Sequence, residues 1–271
     1  MIKQAIIPLA GLGTRLLPLT SIFPKELLPI NGVPGIEYII DECIEAGIKE
    51  IIFIISKKKN LIKKYFYQDK IYKDFLAKKK NPRVNNHYKK ILKNRKMIKF
   101  VYQNKPLGTG DAVLKAYKFI KDKYFLMLLP DDLIFKENCS KAMIKIHKKF
   151  NSSVMASMSV DKDSVSRWGI YKFKKKLSKT DYLISDVVEK PNKKNAPSNK
   201  AVIGRYILPK SIFSKLLALK PGKSGEIHIT DAIRLLINQN EKFIAHNFSG
   251  KYLDCGTMSG YIKSNLEISK L

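Results

Sequence analysis

The sequence predicts an α/β fold with a mixed, mostly parallel central sheet flanked by helices, and three observations carry that expectation. Two short runs, Ala5-Ile6-Ile7 and Ile51 to Ile55, have the unbroken apolar texture of strands buried on both faces. Between them, Pro34 to Gly47 places Ile36, Ile39, Ile40, Cys43 and Ile44 at helical spacing, with proline at the start and glycine at the end. Strand, helix and strand in that order form a βαβ unit, whose crossover makes the two strands parallel. A third apolar strand, Tyr124 to Leu129, ends in Pro130-Asp131-Asp132.

The stretch after the first strand, Pro8 to Ile30, reads as an anion cradle. Gly11 and Gly13 allow backbone N–H groups to approach an anion with no Cβ in the way. Arg15 and Lys25 add a planar fork and a point charge, in a loop stiffened by Pro18, Pro24 and Pro29. An ordinary strand-to-helix turn explains the two glycines alone equally well; the two cations favour a triphosphate. Two other phosphate loops are excluded. A dinucleotide fingerprint needs glycine where Leu16 stands. Gly222-Lys223-Ser224 lacks the glycine five residues earlier, which is Leu217.

Lysine- and tyrosine-rich residues 57–96 carry Ile62, Tyr65, Phe66, Ile71, Phe75 and Leu76, a pattern for amphipathic helices in a peripheral insertion. A nucleic-acid arm with stacking aromatics is the alternative. Strand texture returns over Met97 to Gln103. Next, Gly108 and Gly110 bracket Thr109 ahead of a helix expected over Val113 to Ile120. That helix start is either a place for ligand contacts or a turn capped by Thr109 or Asp111. Asp131 sits where open α/β sheets place functional groups and suits Mg²⁺, which takes one or two carboxylates plus water and phosphate oxygens. A turn or helix cap is the plainer alternative.

The second half reads as strands over Ser153 to Val160, Gly169 to Phe173, Tyr182 to Glu189 and Lys200 to Ile207, extending the sheet by mixed or antiparallel pairing. Glu189 and Lys190 stand at a strand tip before Pro191; a carboxylate for vicinal hydroxyls beside a cation for phosphate suits a sugar phosphate, and an exposed Glu-Lys pair at a strand end is the plainer alternative. Gly225 to Ile237 leads into a helix with Thr230 as the expected N-cap. Lys242 to Leu253 reads as a hairpin, followed by Asp254, the candidate second metal carboxylate, and a closing helix over Gly260 to Ile268. No repeat, linker or second domain is visible, so residues 1–271 read as one unit.

Composition bounds the rest. The 271 residues are 45% hydrophobic, enough for a sizeable core. The net charge of +29 comes almost wholly from lysine scattered through every segment, which reads as a solvated surface rather than a nucleic-acid site. Cys43, Cys139 and Cys255 lie far apart, so no zinc site or disulfide framework is expected, and the reducing cytoplasm fits. No apolar run approaches the ~20 residues of a membrane span, and the N-terminus does not read as a signal peptide.

The motifs AGLGTRLLPLT, PKELLPI, KPLGTGDAV, LLPDDL, WGIY, VVEKPN, APSNKAVIGRY, GEIHITDAI and LDCGT, in that order from Ala10 to Thr257, resemble those of the sugar nucleotidyltransferases, and among them the bacterial UTP–glucose-1-phosphate uridylyltransferases. The resemblance implies the nucleotidyltransferase fold, a Rossmann-like sheet. It also implies Mg²⁺-assisted in-line attack of glucose 1-phosphate on the α-phosphate of UTP, with no protein nucleophile, by a self-associating enzyme that is a dimer or tetramer. Matching positions imply that Gly11, Gly13 and Arg15 hold the triphosphate and that Lys25 neutralises the reacting phosphates. They imply that Ala10, Gly11, Gln103 and Gly108 line the uracil and that Asp131 and Asp254 bind Mg²⁺. Gly169 and Glu189 are implied to hold the glucose hydroxyls, and Lys190 the sugar phosphate. Thymidylyl- and cytidylyltransferases share the cradle and remain the alternatives, with a basic nucleic-acid-binding protein as the alternative of another class. One position departs from the pattern: Asp111 stands where many relatives carry histidine, and it is expected to face solvent.

Overall fold

The computed structural model describes residues 1–67, 74, 78, 82–222 and 225–270. The first apolar run becomes the strand β1 (Gln4–Pro8). It is followed by β2 (Pro29–Ile30), β3 (Val33–Pro34), helix α1 (Gly35–Glu45) and β4 (Glu50–Ile55). Helices α2 (Asn60–Tyr67) and α3 (Pro82–Arg95), strand β5 (Ile98–Tyr102) and helix α4 (Gly108–Lys115) come next. Then come β6 (Tyr124–Leu128), β7 (Asp132–Phe135) and α5 (Cys139–Phe150). The second half holds β8 (Ser153–Ser159), β9 (Gly169–Lys176), β10 (Asp181–Glu189) and β11 (Lys200–Pro209). It ends with α6 (Ile212–Ala218), α7 (Ile229–Asn238), β12 (Phe243–Asn247), β13 (Lys251–Asp254) and α8 (Met258–Ile268).

Nine strands form one mixed sheet in the order β5-β4-β1-β6-β11-β8-β12-β10-β9. β5, β4, β1 and β6 pair parallel. β11 then runs antiparallel between β6 and β8, β12 runs parallel to β8, and β10 and β9 close the edge antiparallel. The chain steps outward from β1 through β4 to β5 and returns to set β6 on the other side of β1. This reversal opens a crevice at the carboxyl ends of β1 and β6, where open α/β sheets bind ligands. Alternate residues of β1 face opposite layers. Ala5 and Ile7 pack with Ile36, Ile40 and Met143, and Ile6 packs with Val113, Phe213 and Ile233.

The insertion is anchored in the core: Ile62, Phe66 and Ile91 are buried with Phe53, and the Tyr65 hydroxyl hydrogen-bonds the Glu37 carboxylate. Ile71, Phe75 and Leu76 lie outside the described residues. Among the described residues no helix is long and apolar enough to cross a membrane.

Three local expectations are corrected. Helix α4 starts at Gly108 and ends at Lys115, so it includes both glycines. A Cβ on Gly108, whose φ is +94°, would lie 2.6 Å from the Ile227 carbonyl oxygen, so glycine here serves close packing of the 226–227 segment. Thr230 lies inside the first turn of α7 and caps nothing. The free Ile229 N–H is met instead by Thr109 Oγ1 at 3.3 Å, so the threonine expected to cap its own helix serves another. Lys242 to Leu253 is not a hairpin. Phe243 to His246 are buried on both faces, as in a strand covered by layers above and below, and β12 enters the main sheet between β8 and β10 while β13 pairs antiparallel with β7.

Candidate active site

Two cavities meet in the crevice. The first, of about 450 Å³, is lined by Ala10, Gly11, Gly13, Arg15, Lys25, Gln103, Gly108 and Asp131. The second, of about 390 Å³, is lined by Arg15, Asp131, Asp132, Trp168, Gly169, Glu189, Lys190 and Asp254. Arg15, Leu129 and Asp131 belong to both, so the site residues expected from the sequence share one continuous cleft.

The first cavity is preorganised by charge. Gly11 is open: a Cβ there would meet no atom within 4 Å of it. Gly13 has φ +71° and is closed down by Thr20, whose hydroxyl donates to the Gly13 carbonyl at 2.8 Å. Lys25 Nζ donates to Asp131 Oδ2 at 2.6 Å, and the Arg15 guanidinium lies 3.6 Å from the same oxygen. Burial pulls the Lys25 ammonium down, but Asp131 and Glu26 outweigh it and its pKa ends raised. Burial pushes the Asp131 carboxyl up, and Lys25 outweighs that, leaving it below its usual value and ionised. Next to Lys25, Glu26 is buried and takes both carboxylate hydrogen bonds from Lys59, at 2.7 and 2.8 Å. That pair ties the cradle to the insertion across 33 positions, a separation that no local spacing records.

The turn after β6 is held from three directions. Asp132 Oδ1 accepts from the Tyr252 hydroxyl at 2.6 Å, and Oδ2 from the Gly204 N–H at 2.8 Å. Burial, then the Asp131 charge, pushes the Asp132 carboxyl up to about 6. The Cys255 N–H donates to the Asp131 carbonyl at 2.8 Å, joining the turns that carry Asp131 and Asp254. Arg205, fully buried, pairs with Glu42 at 2.8 Å and donates to the carbonyls of Leu129, Gly204 and Asp132 at 3.2, 3.0 and 2.7 Å. Asp132, Tyr252, Glu42 and Arg205 were not read as site residues. Asp132 repeats the acid of Asp131 and Arg205 lies in the APSNKAVIGRY motif, whereas nothing local marks Tyr252 or Glu42.

Asp131 and Asp254 offer hard oxygen donors at neighbouring turns, and Asp254 is oriented by the Gly256 N–H at 2.8 Å and the Thr257 hydroxyl at 2.9 Å. A Cβ on Gly256 would lie 2.6 Å from Asp131 Oδ2, so glycine keeps that carboxylate clear. Among the described residues no cluster of three or more His, Cys, Asp or Glu could hold a metal unaided. Two carboxylates with phosphate and water completing the shell fit Mg²⁺.

In the second cavity Gly169 faces Glu189 across the β9–β10 pairing, and a Cβ at Gly169 would sit 3.1 Å from Glu189 Oε2. Lys190 is exposed, adopts φ +46° and donates its N–H to the Trp168 carbonyl at 3.0 Å. Neither Glu189 nor Lys190 makes an ion pair with a described residue.

One expectation fails here. Asp111 does not face solvent; it is only 5% exposed, accepting from Gln103 Nε2 at 2.8 Å and pairing with Lys115 at 3.0 Å. It lies in the first turn of α4, which begins five residues earlier than the sequence pattern suggests.

Residues 4–270 match the nucleotidyl transferase family. The chain is 39% identical over 267 residues to the UTP–glucose-1-phosphate uridylyltransferase of Mycoplasma pneumoniae, covering 98% of this chain and 91% of that one. A crystal structure of UDP-glucose pyrophosphorylase complexed with UDP-glucose superimposes with a TM-score of 0.88 at 36% identity, over 100% of this chain and 99% of the other. A UTP-bound enzyme of the same name from Acinetobacter baumannii gives 0.89 at 33% identity, over 99% and 93%. Sequence, fold and cleft agree, and the chain belongs to the nucleotidyl transferase family, among the UTP–glucose-1-phosphate uridylyltransferases.

Proposed function

We propose that this chain transfers a uridylyl group from UTP to glucose 1-phosphate, forming UDP-glucose and pyrophosphate. The observation that carries the reading is the junction of the two cavities at Arg15 and Asp131, which lets two phosphorylated ligands meet there. A phosphate oxygen of the sugar attacks the α-phosphorus in line, and the bond from that phosphorus to the pyrophosphate oxygen breaks. Catalysis is then positioning and neutralisation of charge, with no protein nucleophile.

In this reading Gly11 and Gly13 present backbone to the triphosphate, and Arg15 sits nearest the leaving pyrophosphate. Lys25 neutralises the reacting phosphates. Ala10, Gln103 and Gly108 line the base, Gly169 and Glu189 hold sugar hydroxyls, and Lys190 receives the sugar phosphate. Asp131 and Asp254 would hold Mg²⁺, which supplies further charge neutralisation on the phosphate oxygens. The whole chain acts as one unit with 57–96 as an insertion, self-associates, and works in the cytoplasm, where three buried free thiols stay reduced.

The test is pyrophosphate release with glucose 1-phosphate and Mg²⁺, comparing UTP, dTTP and CTP. Fastest turnover with UTP is expected. Absence of release with every triphosphate, or faster turnover with dTTP, overturns the assignment.

A further inference from the structure

We propose that Asp111 is a positioning residue that sets the base preference by holding the Gln103 side-chain amide in one orientation. The inference rests on the uridylyl-transfer reading and adds to it a determinant of nucleotide choice.

A carboxamide has two donor hydrogens on nitrogen and an acceptor oxygen. Gln103 Nε2 spends both hydrogens inside the protein, on Asp111 Oδ2 at 2.8 Å and on the Gly108 carbonyl at 3.2 Å. Both partners can only accept. Turning the amide over would set Gln103 Oε1 against two acceptors, in a place where Gln103 is 3% exposed and Asp111 5%. Unpaired polar groups are most costly in such surroundings. Lys115 fixes the other Asp111 oxygen at 3.0 Å from the following turn of the helix.

Gln103 lines the nucleotide cavity, and Oε1 receives no hydrogen bond from a described residue. What the side chain offers a base is therefore an acceptor alone. Uracil carries a donor at N3, which this oxygen can receive. Cytosine carries a lone pair at N3, which it repels. Thymine shares the uracil edge, so the contact separates UTP from CTP and leaves dTTP to other residues. An aspartate in the first turn of the helix thereby acts on the base without touching it.

The experiment measures kcat/KM for UTP, dTTP and CTP in the wild type, Asp111→Asn and Lys115→Met. Asparagine can donate as well as accept, so in this variant only the longer contact to the Gly108 carbonyl still opposes the turned-over amide. The UTP/CTP ratio in Asp111→Asn should fall by about tenfold, the scale of one mismatched base contact, mainly through KM, with the UTP/dTTP ratio unchanged. Lys115→Met should keep the wild-type ratio. An unchanged UTP/CTP ratio in folded Asp111→Asn overturns the proposal. A second measurement does not depend on that variant folding. The Gln103 side-chain NH₂ signal of the wild type, assigned by its loss in Gln103→Leu, should exchange slowly with solvent with and without UTP. Fast exchange also overturns it. A wild type inactive with UTP would refute the uridylyl-transfer reading instead, while slow amide exchange would still uphold the orientation.

Discussion

In the first cavity of the cleft, Lys25 and Asp131 are paired at 2.6 Å with about 15% of each side chain exposed, and Glu26 and Lys59 are buried against each other alongside. In the second cavity, Glu189 and Lys190 stand exposed at a strand tip without an ion pair to any described residue. The first set of charges carries stability and chemistry together, because each member is the other's counter-ion in a poorly solvated place. The second set is solvated and costs the fold little, so its members are free to be spent on a ligand. Mutations should separate the halves by whether activity and stability fall together.

The largest effect is expected for Lys25→Met, which leaves Asp131 without its closest counter-ion. Turnover should fall by about 10³, and the protein should lose roughly 2–4 kcal/mol, since removing one member of a buried pair strands the other. Denaturant unfolding beside the pyrophosphate assay reads both. Asp131→Asn should reduce turnover by roughly 10² and weaken the response to Mg²⁺. An unchanged magnesium titration would take Asp131 out of the metal site. Lys190→Ala should lower kcat by roughly 10²–10³ while the unfolding free energy stays within about 0.5 kcal/mol. A loss of stability matching Lys25→Met would erase the contrast between the halves, and near-normal turnover would remove Lys190 from the reaction. Gly169→Ala is the mildest. Its methyl group would crowd Glu189 Oε2 at 3.1 Å, and KM for glucose 1-phosphate should rise several-fold with KM for UTP unmoved.

Legibility in the sequence followed the same division. Strands such as Ile51 to Ile55 and the α1 helix were readable because burial on both faces or on one stripe leaves a periodic trace. Helices α5 and α6 lie outside the elements expected from the sequence, although Asn138 caps α5 by accepting from the Lys141 N–H at 2.8 Å. Residues lining the two cavities, from Gly11 to Lys190, were legible as local motifs. What supports them was not: Glu42 with Arg205 lie 163 positions apart, and Gly204 with Asp132 72 apart, so no local spacing records them. Asp111 was misread for a related reason. Its surroundings depend on where α4 begins, which is decided by the 226–227 segment packing onto Gly108 and Gly110.

Arg205 carries a consequence for how this cleft can change over time. Its guanidinium gathers three backbone carbonyls and a carboxylate from three parts of the chain, a span that the single ammonium of lysine does not reproduce. Surface loops around the rim can therefore drift in length and composition while the turn that carries Asp131 and Asp132 stays put. The keystone lies inside the protein, out of reach of every ligand that the cleft admits.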